Sequence, residues 1–314
     1  MPDPFKVKKR SETDLPGPPP NNPFTDDDKY DPYVPTATLE IYEHINSDMS
    51  RKDSDHVNRA SAATMCVKRR WYQRKGTVGK PLTPRKIVNF LLGDLTEKVL
   101  AHFIHQANVG PGKMYSEVDF GKVTGTFEFN DYTFNLYKQD TVHTKIGDID
   151  VTGHADGYGK RNSDGKWELI EIKSAANYGF KLFKELGPED YLKQAHVLMA
   201  SDKCKELGIT EVRFFYLRKE TGNLYDRLHA WDEAMWEGVK EDYRTSAGDD
   251  EPPAPYGKEP ILFRKKPTGE WGVNWRCSYC PYMDTCQGPS EIKWKKDQFG
   301  TQKPVHIFPR PQDD

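Results

Sequence analysis

The sequence predicts an α/β domain with a mixed central sheet flanked by helices, and three observations predict it. Apolar residues recur at helical spacing over Thr83–Gln106, alternate with period two from Ser116 to Val151, and return to helical spacing after Pro188. A strand rich in aromatics then follows at Val212–Leu217. The order is helix, strands, helix, strand.

Before these elements, nine of the 23 prolines fall within the first 35 residues, beside the acidic run Asp26, Asp27, Asp28. Such a stretch buries too little apolar surface to offset its ordering entropy, so residues 1–38 are expected to be a flexible arm. Residues 39–289 are expected to form the folded domain, beginning around Leu39–Ser47, and 290–314 a polar tail. In the first long helix Thr83 can cap, Pro84 suits the first turn, and Ile87, Leu91, Leu95 and Val99 form the apolar stripe. Phe127 and Phe129, then Tyr132, Phe134 and Leu136 across Asn130-Asp131, and later Ile149 and Val151, read as antiparallel strands. The turn Asn162-Ser163-Asp164-Gly165 joins a strand ending near Tyr158 to Lys166–Ser174, whose Leu169, Ile170 and Ile172 mark a central strand buried on both faces. Tyr191, Leu192, Ala195, Leu198 and Met199 give the second helix one broad stripe. Asp250–Pro260, with four prolines, reads as a loop leading to the cysteines at 277–286.

Composition bounds what the chain can be. It has 314 residues and 36.1 kDa, enough to bury a core without disulfide staples. Hydrophobic residues make up 36%, charged residues 30%, and the mean hydropathy is −0.84, a polar chain for its size, and no stretch approaches the roughly 18 uninterrupted apolar residues that a membrane helix needs. Charges within Met1–Asp14, where a signal peptide would be apolar, lead to an intracellular, cytoplasmic expectation. The net charge of −2 offers no global positive field for a nucleic acid, which leaves a local basic groove as the expected route.

The chemistry concentrates in Gly153-His154-Ala155-Asp156-Gly157 and, fourteen residues beyond Gly157, Glu171-Ile172-Lys173. On a strand, residues i and i+2 share a face, so Glu171 and Lys173 project together while Ile170 and Ile172 pack on the other side. If the hairpin register is right, Asp156 meets them. Two carboxylates brought together on a buried sheet repel each other and lose hydration unless one protonates or a cation sits between them. Oxygen ligands of this kind suit Mg²⁺ or Mn²⁺, which accept phosphate oxygens as further ligands. Lys173 would orient a water or offset charge on phosphorus.

Cys277, Cys280 and Cys286, with Pro281 after the second, put three thiols on one tight loop and leave a tetrahedral site one ligand short. Cys66, Cys204 or a histidine could complete it, and burial as a small apolar residue explains Cys204 equally well. Spacing alone does not separate zinc from an iron–sulfur cluster. Lys68, Arg69, Arg70, Arg74 and Lys75 interleave with Trp71 and Tyr72, a mixture suited to phosphate contacts and base stacking on a single strand, or to a solvated, partly packed helix.

Together these residues resemble the PD-(D/E)XK nuclease superfamily, and within it the RecB-like exonucleases, including CRISPR-associated and phage-encoded members. Asp156 matches the family's Asp motif and Glu171-Ile172-Lys173 its Glu-x-Lys motif. The resemblance implies a restriction-endonuclease-like core in which Asp156, Glu171 and the Ile172 carbonyl bind the metal and Lys173 assists the attacking water. It makes Glu97, in Gly93-Asp94-Leu95-Thr96-Glu97, a further metal ligand and Gln194 an active-site residue. The family's Gln is followed four residues on by Tyr; here Leu198 stands there, and Tyr191 lies one turn before Gln194. It also selects Cys66 as the fourth ligand of a [4Fe-4S] cluster with Cys277, Cys280 and Cys286, joining the N- and C-terminal segments, with zinc as the alternative. The function implied is a Mg²⁺- or Mn²⁺-dependent DNA exonuclease preferring single strands, in recombination, repair or processing. Arg69, Arg70, Trp71 and Tyr191 would contact DNA, and a helicase or recombinase would act in trans. The alternative is a catalytically silent DNA-end-binding module.

Overall fold

The computed structural model describes residues 58–80, 84–185, 187, 189–248, 252–254, 258–263, 266–273, 277, 280–288, 290–296 and 302–308. The expected arm, the element at Leu39–Ser47, Thr83 and Pro188 lie outside these residues. The chain divides into two units, residues 1–50 with 82–87, and residues 51–81 with 88–314. Of the first, only 84–87 are described, as the opening turn of a helix.

Five strands build the central sheet of the second unit, in the order β1 (Tyr115–Asp119), β6 (Gly157–Arg161), β7 (Trp167–Ala175), β8 (Glu211–Arg218), β9 (Leu224–Ala230). β7 occupies the middle, antiparallel to β6 and parallel to β8, so the sheet is mixed as the sequence predicts. The apolar run Leu169, Ile170, Ile172 exists because a middle strand buries both faces. On one face Leu169, Phe214 and Tyr216 pack with Ala195, Leu198 and Met199 of α4 (Glu189–Met199) and Trp236, Val239 and Tyr243 of α6 (Glu233–Ala247). On the other, Ile170, Ile172 and Phe215 meet Leu100, Ala101 and Ile104 of α2 (Pro84–Asn108). Each such aliphatic side chain contributes about 1.5–3 kcal/mol of transfer free energy, so these two clusters dominate the fold's stability.

Two hairpins lead into the sheet. β2 (Lys122–Phe129) and β3 (Tyr132–Lys138) pair Phe129 with Tyr132 across Asn130-Asp131, where Asn130 takes φ +53°. β4 (Asp140–Ile146) and β5 (Ile149–Ala155) close on Gly147-Asp148 and pair from Ile146↔Ile149 to Asp140↔Ala155. Gly153 on β5 has no room for a side chain: a Cβ there would lie 2.5 Å from Leu198 Cδ2 and 2.8 Å from Ala60 Cβ.

Several expectations change. The stripe expected on α2 is only in part its buried face: Ile87 is buried and Leu91 and Val99 half-buried, but Leu95 is 51% exposed, and Leu100, Ala101 and Ile104 carry the contact with the sheet. This helix also exposes Phe90, Leu92 and Phe103, so with apolar residues all round it the sheet, not the spacing, selects the packed face. Within the segment expected as a polar tail, β12 (Glu291–Lys296) pairs antiparallel with β13 (Gln302–Ile307). Ile307 and Phe308 are buried there, and Phe308 donates its N–H to Trp271 O at 2.9 Å, tying this hairpin to β11 (Lys266–Val273), itself paired with β10 (Lys258–Phe263). The sequence reading also passed over α3 (Asn177–Glu185), β9 and α6, although Asp232 caps α6 by accepting from the N–H groups of Ala234 and Met235. Among the described residues no helix is long and apolar enough to cross a membrane.

Candidate active site

Asp156 sits at the corner between β5 and β6, and its position follows from where β6 stops pairing. The last β6–β7 partners are Gly157 and Ile170, so the next inward-facing N–H of β7, that of Ile172, passes to the Asp156 carboxylate at 2.6 Å. A strand residue directs its N–H and C=O to the same side, so the Ile172 carbonyl looks the same way. Glu171 and Lys173 share the opposite orientation along β7, as period two requires. Lys173 Nζ lies 2.5 Å from Glu171 Oε2 and 3.7 Å from Asp156 Oδ2.

Glu97 comes in from α2, near where that helix passes the end of β7; a Cβ built on Gly93 would stand 4.0 Å from Ser174 Oγ. Its link to Asp156 is a residue the sequence reading did not select. Gln139 Nε2 donates to Glu97 Oε1 and, at 2.6 Å, to Asp156 Oδ1. Glu97, Gln139, Asp156, Lys173 and Glu171 thus form one continuous polar chain.

Three carboxyls share this pocket with one ammonium, and the proton affinities of Glu97, Glu171 and Lys173 are displaced there. Burial first, and then the Asp156 charge, push Glu97 up to about 9 against the opposing pull of Lys173. Burial and Asp156 likewise raise Glu171 to about 7. Burial alone would lower Lys173, but Glu171 and Asp156 outweigh it and hold the ammonium above its ordinary range. Lys173 is 14% exposed and stays charged through the physiological range.

Does this set fit a divalent cation? Among the described residues no three His, Cys, Asp or Glu side chains converge on one point as a ready cage; Gln139 Nε2 stands between two of the carboxylates and Lys173 Nζ lies on the third. The donor chemistry does fit. Glu171 is 1% exposed and its Oε1 is buried with no hydrogen-bond partner, a lone pair aimed into a site already rich in hard oxygen donors.

The Tyr191 ring lies 5.5 Å from Lys173 Nζ and tilts against Phe183 at 5.4 Å, so it covers the ammonium from the α4 side. Burial raises its hydroxyl above the usual range. Gln194 is half-buried one turn further along α4. His154 is exposed, and His196 is a packing histidine, its Nε2 accepting from Asp232 N at 2.9 Å.

The chain matches no family model and no curated protein. Among solved structures it is similar to a protein designated SSO0001, at 15% identity over 79% of this chain and 93% of that one, with a TM-score of 0.40. It is also similar to the alkaline exonuclease LHK-Exo from Laribacter hongkongensis, at 15% identity over 63% and 87% and a TM-score of 0.36. A phage-related exonuclease from Haemophilus somnus 129PT matches at 12% identity over 64% and 94%, with a TM-score of 0.25.

A second constellation gathers the cysteines. Cys66 precedes α1 (Val67–Arg74), while Cys277 and Cys280 precede α7 (Met283–Gln287) and Cys286 lies within it. Lys80 N donates to Pro281 O at 2.9 Å, Lys80 Nζ pairs with Asp284 at 2.7 Å, and Tyr72 stacks on Tyr282 at 5.4 Å, which brings the two segments together. Burial, then the neighbouring thiols of Cys66, Cys280 and Cys286, push Cys277 up to about 12. None of the four is in a disulfide. Cys204 stands apart, fully buried in α5 (Asp202–Glu206) as a small apolar residue.

The basic run does not form one exposed surface. Arg70, expected to contact DNA, is 0% exposed; its guanidinium lies 4.5 Å from the Tyr243 ring centroid and 3.9 Å from Asp242. It is a core cation packed on α6, and α1 turns that side inward because Tyr243 offers a ring face to it. Arg69 and Trp71 are half-buried, and Arg74 donates to Asn58 Oδ1 at 2.6 Å. At the far end of β7 the fully buried Glu168 accepts from Tyr115 Oη and Arg213 Nε, both at 2.6 Å, and from Arg161 Nη1 at 3.1 Å. This second buried charge network is structural, and the sequence reading passed over it too.

Proposed function

We propose that this chain is a Mg²⁺- or Mn²⁺-dependent DNA exonuclease that prefers single strands, with its active site at the open end of β7. The observation that carries the proposal is the polar chain that runs from Glu97 through Gln139 to Asp156, Lys173 and Glu171, with the Glu171 Oε1 buried and partnerless. Glu97, Asp156, Glu171 and the Ile172 carbonyl would hold the cation. A divalent cation there supplies Lewis acidity toward a phosphodiester oxygen and lowers the pKa of a water.

The protein's own contribution is positional and electrostatic. Lys173 remains an ammonium and can donate hydrogen bonds to the attacking water or to the oxygens of the pentavalent phosphorus, where charge builds. Tyr191 covers that ammonium and keeps it aimed along β7. Glu171 is ionised above about pH 7 and Glu97 only above about pH 9, so without a cation the site reaches its full negative charge only above the higher value. Gln194 remains a proposed active-site residue, and Tyr191, Arg69 and Trp71 the proposed DNA contacts; Arg70 is withdrawn from that set by its burial.

Cys66, Cys277, Cys280 and Cys286 are proposed to hold a [4Fe-4S] cluster, with zinc as the alternative. The nearness of Cys66, Cys280 and Cys286 to Cys277 supports this: burial first, and then these neighbours, disfavour the Cys277 thiolate, the form that a bound cationic centre would stabilise. Its role would be to staple the segments before and after the sheet.

Anaerobically purified protein incubated with 5′- or 3′-labelled single- and double-stranded DNA, in Mg²⁺, in Mn²⁺ and in EDTA, tests the proposal. Metal-dependent release of short products, fastest from single strands, is expected. DNA that is bound in every condition and cut in none would instead establish the end-binding alternative.

A further inference from the structure

Gln139 lies between β3 and β4, and three independent features fix it at the acidic site. The β4–β5 register ends at Asp140↔Ala155, so the next opposed pair in the same register is Gln139 and Asp156. The backbone just before it is clamped: Gly121 adopts φ +81°, and a Cβ there would lie 2.1 Å from Lys138 O, an approach only glycine permits. Its side-chain nitrogen donates to one oxygen of Glu97 and one of Asp156 at once.

A carboxamide is suited to two tasks here. Its two N–H groups can tie two carboxylates together, while its oxygen is a hard ligand of the kind Mg²⁺ and Mn²⁺ take. The two ends exchange by rotation about the last side-chain torsion, which is broad and two-fold. A cation that takes the Glu97 and Asp156 oxygens must displace the nitrogen between them, and that same rotation would bring Oε1 to face it.

We propose that Gln139 is a positioning residue that holds Glu97 and Asp156 at a cation-binding separation and turns its carbonyl oxygen to the cation when one binds. The inference rests on the divalent-cation reading of the site and adds a residue to it. A leucine at 139 removes both functions and a glutamate keeps only the oxygen, so the two variants separate the roles.

The test is isothermal titration of Mn²⁺ into wild type, Gln139→Leu and Gln139→Glu, with thermal unfolding of each in EDTA and in Mn²⁺. Gln139→Leu is expected to bind Mn²⁺ about 10–100-fold more weakly, the usual loss when a group that supports metal ligands is removed. Gln139→Glu is expected to bind at least as tightly as wild type, but to melt lower in EDTA and gain more from Mn²⁺, because it adds a carboxylate where an amide bridged two. Gln139→Leu binding Mn²⁺ within twofold of wild type would overturn the proposal and leave the acidic site standing. So would Gln139→Glu unfolding in EDTA at the wild-type temperature, a readout available even if the leucine variant does not fold. Wild type that takes up no Mn²⁺ would overturn the cation site and this proposal together.

Discussion

Replacing Glu97 by Gln should stabilise the metal-free protein, increasingly so as pH rises. An unfolded Glu releases its proton near 4.5, whereas Glu97 in the folded chain holds it to about 9. Between those values the folded state binds a proton that the unfolded state has lost, so the unfolding free energy falls as pH rises, by up to about 1.4 kcal/mol per pH unit for one group. Glu171 adds a like slope only between about 4.5 and 7. From pH 7.5 to 8.5 Glu97 therefore acts without it. Urea unfolding in EDTA at those two pH values should show the Glu97→Gln variant gaining about 1.4 kcal/mol over wild type across that one unit. The substitution keeps the acceptor for Gln139 Nε2, so hydrogen bonding changes little. Parallel stability profiles for the two proteins from pH 6 to 8.5 would refute the reasoning, since they would mean Glu97 is already ionised at neutral pH.

Other consequences follow from the same contacts. Glu168→Ala leaves the Arg161 and Arg213 guanidinia without their shared buried carboxylate and should cost about 3–5 kcal/mol in urea unfolding; a cost below 1 kcal/mol would show the network is not closed in solution. Arg70→Ala should lower the melting temperature without changing the salt dependence of DNA affinity, because the side chain is enclosed by α6; a reduced salt slope would return Arg70 to the DNA interface. Cys66→Ser should lose most of the bound iron or zinc, measured by elemental analysis, while Cys204→Ser keeps it; the reverse result would mean that Cys204 is the fourth ligand.

The central strand and the meeting of Asp156, Glu171 and Lys173 on it were legible because their pattern is local. An unbroken apolar run interrupted by Glu-x-Lys can only be a buried strand with charges on one face, and β7 is that strand. Arg70 was misplaced because nothing in Lys-Arg-Arg-Trp-Tyr says which side of a short helix turns inward; Tyr243, more than 170 residues away, decides it. Gln139 was missed although a signal existed. Two-residue closure at Gly147-Asp148 makes opposed positions sum to 295, which sets 139 against 156, but that register is known only once the turn is fixed. The hairpin at 291–307 was read as a tail because its alternating residues are largely lysine, and its anchor, Phe308 on Trp271, is a long-range contact.

The account stands most directly on whether the acidic constellation cleaves DNA. Single-turnover cleavage of end-labelled single-stranded DNA in Mn²⁺, by wild type and by Glu171→Ala shown to be folded by circular dichroism, measures this. The account predicts cleavage by wild type that stops in EDTA, and none above background in the variant. Equal cleavage by the two proteins would contradict it, because the catalytic carboxylate would then have to lie elsewhere.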